Sequence, residues 1–139
     1  MSSEKKILLV DDEESILELG RLMLEHVGYQ VVTALDGETA LEKYLDASSI
    51  SVVVLDLSLP GMTGKQLLER ILEHNPGQKI IVSSGHDNRA VTEELSQLGA
   101  VGFLPKPYRI ESIVSKIEEV IGSEKMPHRK SSNDESRGG

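Results

Sequence analysis

Five short apolar runs alternate along the chain with five segments whose apolar residues recur every three or four positions. The runs are "KILLV" (6–10), "VVTA" (31–34), "SVVVLD" (51–56), "KIIVSS" (79–84) and "AVGFLP" (100–105). They are aliphatic or β-branched, and several are apolar on successive positions, as in strands covered on both faces. The first intervening segment repeats through Ile16, Leu19, Leu22, Met23 and Val27, and stops at Gly28. The second carries Ala40, Leu41, Tyr44 and Leu45, with Asp36 placed to cap it. Leu67, Leu68, Ile71 and Leu72 form the third, closed by "NPG" at 75–77; Val91, Leu95 and Leu98 form the fourth, closed by Gly99. Ile110, Ile113, Val114, Ile117, Val120 and Ile121 form the fifth. A βα unit repeated in this way predicts an α/β fold in three layers, a parallel five-stranded sheet with helices on both faces.

The chain of 139 residues suits one domain. From Ser123 onward "SEKMPHRKSSNDESRGG" is polar and aperiodic, so the domain is expected over 5–122 and a disordered polar tail or linker stump over 123–139. With no second domain expected there, the chain reads as stand-alone or as cut from a larger protein. A formal net charge of -8 disfavours direct contact with nucleic acid or an anionic membrane, and the lack of Trp disfavours base stacking. The absence of cysteine excludes disulfides, thiolate chemistry and Cys-based zinc sites. No apolar run approaches the ~20 residues needed to span a bilayer, and no secretory signal is evident, so a cytoplasmic location without membrane insertion is expected.

Ligands of open α/β sheets collect at the carboxyl ends of the strands. The first strand ends in Asp11 and Asp12, where a phosphate-binding loop would instead need glycines. Adjacent acids repel a phosphate but suit a hard divalent cation, or Asp12 or Glu13 simply caps the helix that follows. Asp56 ends the most apolar run and is the only charged residue between Asp46 and Lys65. An ionised carboxylate at the end of a buried strand requires a partner, and a shared cation would supply one. "LPKP" at 104–107 holds Lys106 between two prolines at the end of the fifth run, aimed at the same cluster. The fourth run ends in "SSG", which brings either the Ser83 or the Ser84 hydroxyl to the site, with Gly85 leaving space beside it.

Taken together, "LLVDDE" (8–13), "VVLDLSLPGMTG" (53–64), "SSG" (83–85) and "GFLPKP" (102–107) resemble the receiver domains of bacterial two-component response regulators. The resemblance implies a flavodoxin-like (βα)5 fold, doubly wound, with strand order 2-1-3-4-5. It further implies that Asp56 is the phosphoacceptor, taking its phosphoryl group from a phosphohistidine on a histidine kinase or phosphotransfer protein. Mg2+ (or Mn2+) would be held by Asp11, Asp12, Asp56 and the backbone carbonyl of Ser58. Lys106 would pair with the phosphoryl oxygens, and Pro107 would set its turn. Ser84 is preferred to Ser83 as the switch hydroxyl on its spacing to Lys106, with Phe103 as the switch aromatic; strand parity is left open. Ser58 and His86 occupy positions linked to the lifetime of the phosphoryl group. The output implied is a changed surface around the fourth helix, fifth strand and fifth helix, which would bind a downstream protein or a second copy of the chain. This makes the chain a signalling module that assists its own phosphorylation and dephosphorylation.

Two other readings fit the fold class less well. A Mg2+-dependent phosphohydrolase with an Asp nucleophile would need a second acid where Ser58 stands. A nucleotide or flavin binder would need a Gly-rich or hydroxyl-rich first loop in place of "DDEES".

Overall fold

The computed structural model describes residues 5–47, 49–84, 89–106 and 109–125. Ten elements alternate strictly: β1 (Lys6–Val10), α1 (Glu14–His26), β2 (Gln30–Ala34), α2 (Gly37–Asp46), β3 (Val52–Asp56), α3 (Gly64–His74), β4 (Lys79–Ser84), α4 (Arg89–Leu98), β5 (Gly102–Pro105) and α5 (Ile110–Lys125). All ladders are parallel and the order is β2-β1-β3-β4-β5, the doubly wound arrangement expected. β3 lies at the centre and every one of its residues is buried. Such a strand is apolar throughout because helices cover both of its faces.

Alternation along the strands divides the core in two. Leu8, Val10, Val53, Leu55, Ile80 and Val82 face a layer built by α2, α3 and α4. Ile7, Leu9, Val52, Val54, Ile81 and Leu104 face α1 and α5. The chain therefore leaves β1 and β3 toward opposite faces of the sheet. That reversal opens a crevice above their carboxyl ends, the place where an α/β sheet offers a binding site.

Local chemistry sets the helix boundaries. Asp36 caps α2 as expected, accepting from the Thr39 N–H at 2.7 Å. Thr63 and Gln66 form a reciprocal capping box at the start of α3. Gly28 and Gly99, at φ of 107° and 132°, end α1 and α4 in a conformation that glycine adopts without strain. α5 runs to Lys125, three residues past the point where the sequence loses its apolar period. The tail residues 126–139 lie outside the described residues.

The buried face of α1 is a correction to the sequence reading. The helix buries Leu17, Gly20 and Leu24, whereas Leu19, Leu22 and Val27 are 53%, 51% and 45% exposed. Two stripes on this helix share helical spacing, and Gly20 decides between them. A Cβ at position 20 would lie 2.9 Å from Leu9 Cδ1, so the helix reaches β1 most closely along the stripe that contains Gly20. Leu45 on α2 is likewise half-exposed, while Ala40 and Tyr44 of the same helix are buried.

Gly64 sets how close α3 comes to the end of β3. A Cβ there would meet Asp56 O and Leu57 Cα, each at 2.7 Å, and both are backbone atoms that cannot rotate away. Gly64→Ala should therefore lower stability by about 1–3 kcal/mol through overpacking. Gly77→Ala is the control, since its nearest neighbour would be Asn75 Oδ1 at 3.8 Å. Urea unfolding of the two variants checks this, and equal midpoints would contradict the close approach.

Candidate functional site

Three strand ends meet at the crevice. β1 delivers Asp11, which is 3% exposed, and β3 delivers Asp56, which is 2% exposed. Asp12 follows on the surface. One carboxylate oxygen from each of the three lies within 4.8 Å of the others. Beyond the end of β5, Lys106 places its Nζ 2.8 Å from Asp56 Oδ2 and 3.5 Å from Asp11 Oδ2. The expected convergence of Asp11, Asp12, Asp56 and Lys106 is thus present.

Backbone groups orient these side chains. The Ser58 N–H donates to Asp56 Oδ1 at 2.9 Å, and the Glu13 N–H donates to Asp11 Oδ1 at 2.9 Å. Each acid therefore has one oxygen held by its own loop and the other turned toward the ammonium. The Lys106 N–H donates to the Ser84 carbonyl at 2.7 Å, which extends the β4–β5 ladder to the residue that carries the cation. The capping alternative for the first acids takes a modified form. Glu13 stands at the N-cap of α1 without a side-chain cap bond, and Asp11 instead accepts the Glu13 N–H.

Burial holds the Asp11 carboxyl above its ordinary pKa, and the neighbouring Asp56 charge adds to the rise. The Glu13 N–H and the Lys106 ammonium act in the opposite direction without cancelling it. Three carboxylates and one ammonium leave two negative charges in the crevice, matched in magnitude by one divalent cation. All the side-chain donors are hard carboxylate oxygens, so the set fits Mg2+ by chemistry as well as by charge.

The serines at the end of β4 separate by strand parity. Ser83 stands opposite Asp56 in the β3–β4 ladder and is buried. Ser84 is half-buried and follows the alternation of Val82, on the layer of α2, α3 and α4 where Phe103 also packs. Gly85, His86 and Pro107 lie outside the described residues. Sequence reasoning missed the Ser58 and Glu13 N–H groups, because backbone donors leave no residue signature. It also missed Gly64, although "GMTG" right after the apolar run is a signal for close backbone approach.

Residues 7–118 match the family model described as "Response regulator receiver domain". The chain belongs to the response regulator receiver domain family. The Bacillus subtilis alkaline phosphatase synthesis transcriptional regulatory protein PhoP is 32% identical over 136 residues, 96% of this chain and 56% of PhoP. The chain thus spans about half of that relative. The chemotaxis protein CheY of Thermotoga maritima is 30% identical over 117 residues, 84% of this chain and 97% of CheY. A chain of the solved CheX–CheY–BeF3–Mg2+ complex from Borrelia burgdorferi superposes with a TM-score of 0.76 at 27% identity, covering 84% of this chain and 89% of its own. The protein is a receiver domain of two-component signalling with the flavodoxin-like fold, and no helix among its described residues is long and apolar enough to cross a membrane.

The raised pKa of Asp11 has a thermodynamic sign. A carboxyl that titrates higher in the folded receiver than in the unfolded chain contributes fully below the unfolded value. That contribution is lost as pH rises through the folded value. In metal-free buffer at neutral pH, Asp11→Asn should therefore raise the urea midpoint and flatten its pH dependence. An unchanged midpoint would mean that Lys106 already offsets the burial of Asp11.

Proposed function

We propose that Asp56 accepts a phosphoryl group from a phosphohistidine on a histidine kinase or phosphotransfer protein. The observation that carries this reading is the 2.8 Å contact of Lys106 Nζ with a buried Asp56 that has two further acids beside it. An Asp56 oxygen attacks phosphorus, the P–N bond breaks, and its electron pair leaves on the donor imidazole, giving an aspartyl phosphate. The Ser58 N–H restrains rotation of the nucleophile, and Lys106 passes from the carboxylate to the phosphoryl oxygens. Asp11, Asp12, Asp56 and the Ser58 carbonyl would hold Mg2+ (or Mn2+). When bound, the cation supplies charge neutralisation for the transferring phosphoryl group.

In this reading Ser84 reports the new charge by turning its hydroxyl to the phosphoryl group, and Phe103 repacks in response. With no phenolic hydroxyl, Phe103 acts through packing alone. Ser58 and His86 tune the lifetime of the phosphoryl group, and Pro107 sets the Lys106 turn. Output passes to the α4-β5-α5 face. That face binds a downstream protein or a second copy of the chain. The receiver unit spans 5–122, with α5 carrying three residues further to Lys125 before the polar tail, and works in the cytoplasm without touching nucleic acid. Its own residues promote both phosphorylation and dephosphorylation.

Intact mass after incubation with Mg2+ and acetyl phosphate tests the chemistry. A single adduct of about 80 Da is expected, the mass of one covalent phosphoryl group. It should require Mg2+ and be absent from Asp56→Asn. The Mg2+ and BeF3 in the Borrelia burgdorferi complex support a beryllofluoride arm. A wild-type chain that gains no adduct and binds no beryllofluoride would overturn the assignment.

A further inference from the structure

Of the two serines that end β4, the proposed switch uses only Ser84. Ser83 is 1% exposed, and its hydroxyl has no hydrogen-bond partner among the described residues. Such burial is unfavourable for a hydroxyl, since it forfeits its bonds to water without replacing them. Ser83 lines a cavity of about 10 Å3 together with Asp11 of the acidic site. Leu9, Leu17, Val54 and Ile113 supply apolar walls, and the other polar side chain in the lining is Asp11. A volume of roughly 10–15 Å3 is what one water requires, and a site with polar partners fills where a wholly apolar one stays dry.

Asp11 has capacity to spare. Its Oδ1 accepts the Glu13 N–H and its Oδ2 faces Lys106 at 3.5 Å, whereas a carboxylate offers about four lone-pair sites. We propose that one structural water occupies the cavity, accepts from Ser83 Oγ and donates to the Asp11 carboxylate, and so makes Ser83 a positioning residue for the cation-binding acid. The inference rests on the proposed role of Asp11 toward Mg2+. It gives the adjacent serines separate tasks on opposite faces of one strand, Ser84 toward Phe103 and Ser83 toward Asp11.

A high-resolution crystal structure of the metal-free full chain tests the water directly. Density within hydrogen-bond distance of both Ser83 Oγ and Asp11 is expected, and a dry cavity, or a water that reaches only one of them, overturns the proposal. Two variants test the positioning role. Ser83→Ala removes the hydroxyl and enlarges the space, while Ser83→Val fills it with methyl groups. Both should weaken Mg2+ binding by about tenfold, the lower end of what losing an indirect ligand partner does. Both should also shift the metal-free Glu13 amide proton resonance, which reads the placement of Asp11 Oδ1. If Ser83→Val keeps wild-type affinity and the wild-type Glu13 resonance, the site needs only filled volume and the positioning role is wrong. Wild-type chain that binds no Mg2+ overturns the functional reading and the positioning role with it, whereas a dry wild-type cavity overturns only the present inference.

Discussion

Two carboxylates buried side by side at the ends of β1 and β3 form the constraint on which the rest of the site depends. Each carries a desolvation penalty of several kcal/mol, and their mutual repulsion adds to it. Lys106 answers only part of this, because one ammonium faces both Asp56 and Asp11. The Ser58 and Glu13 N–H groups stabilise one oxygen of each acid. What remains is a net negative crevice at the edge of an apolar α/β core. That residual charge favours a cation, and the buried strand ends hold the acids near one another.

The buried strands make the acids' position rigid. β3 is covered on both faces, and α3 begins against the backbone of Asp56 and Leu57 because position 64 has no side chain. The Leu57 N–H donates to the Ser83 carbonyl at 3.0 Å, so the backbone just beyond Asp56 stays in the sheet. The neighbouring side chains Ser84 on β4 and Phe103 on β5 are only half-buried and so less tightly enclosed than Asp56.

Much of this was legible in the sequence for physical reasons. Runs such as "SVVVLD" read as buried strands because only a doubly covered strand is apolar on successive positions. Asp56 was conspicuous because an ionised carboxylate at the end of such a run is costly without a partner, and Lys106 because two flanking prolines constrain where it sits. The buried face of α1 was not legible. Leu19, Leu22 and Met23 recur at three and four just as Leu17, Gly20 and Leu24 do, and the tie is broken by a close approach of Gly20 to Leu9 that exists only in three dimensions. Nor was the parity of Ser83 and Ser84, since a register shift of one residue exchanges the faces of a strand. The pairing of Asp56 with Ser83 settles which serine shares the face of the acid.

The ammonium that meets Asp56 stands one residue beyond β5, a short edge strand. β5 is four residues long and hydrogen-bonds to β4 alone, whereas β3 is flanked on both sides. Local opening free energy falls where ladder bonds and buried contacts are few. The core of the domain can therefore stay folded while β5 opens locally. Its amides should exchange with solvent well before those of β3, and the cost of separating cation from carboxylate is set by an edge rather than by the stability of the whole fold.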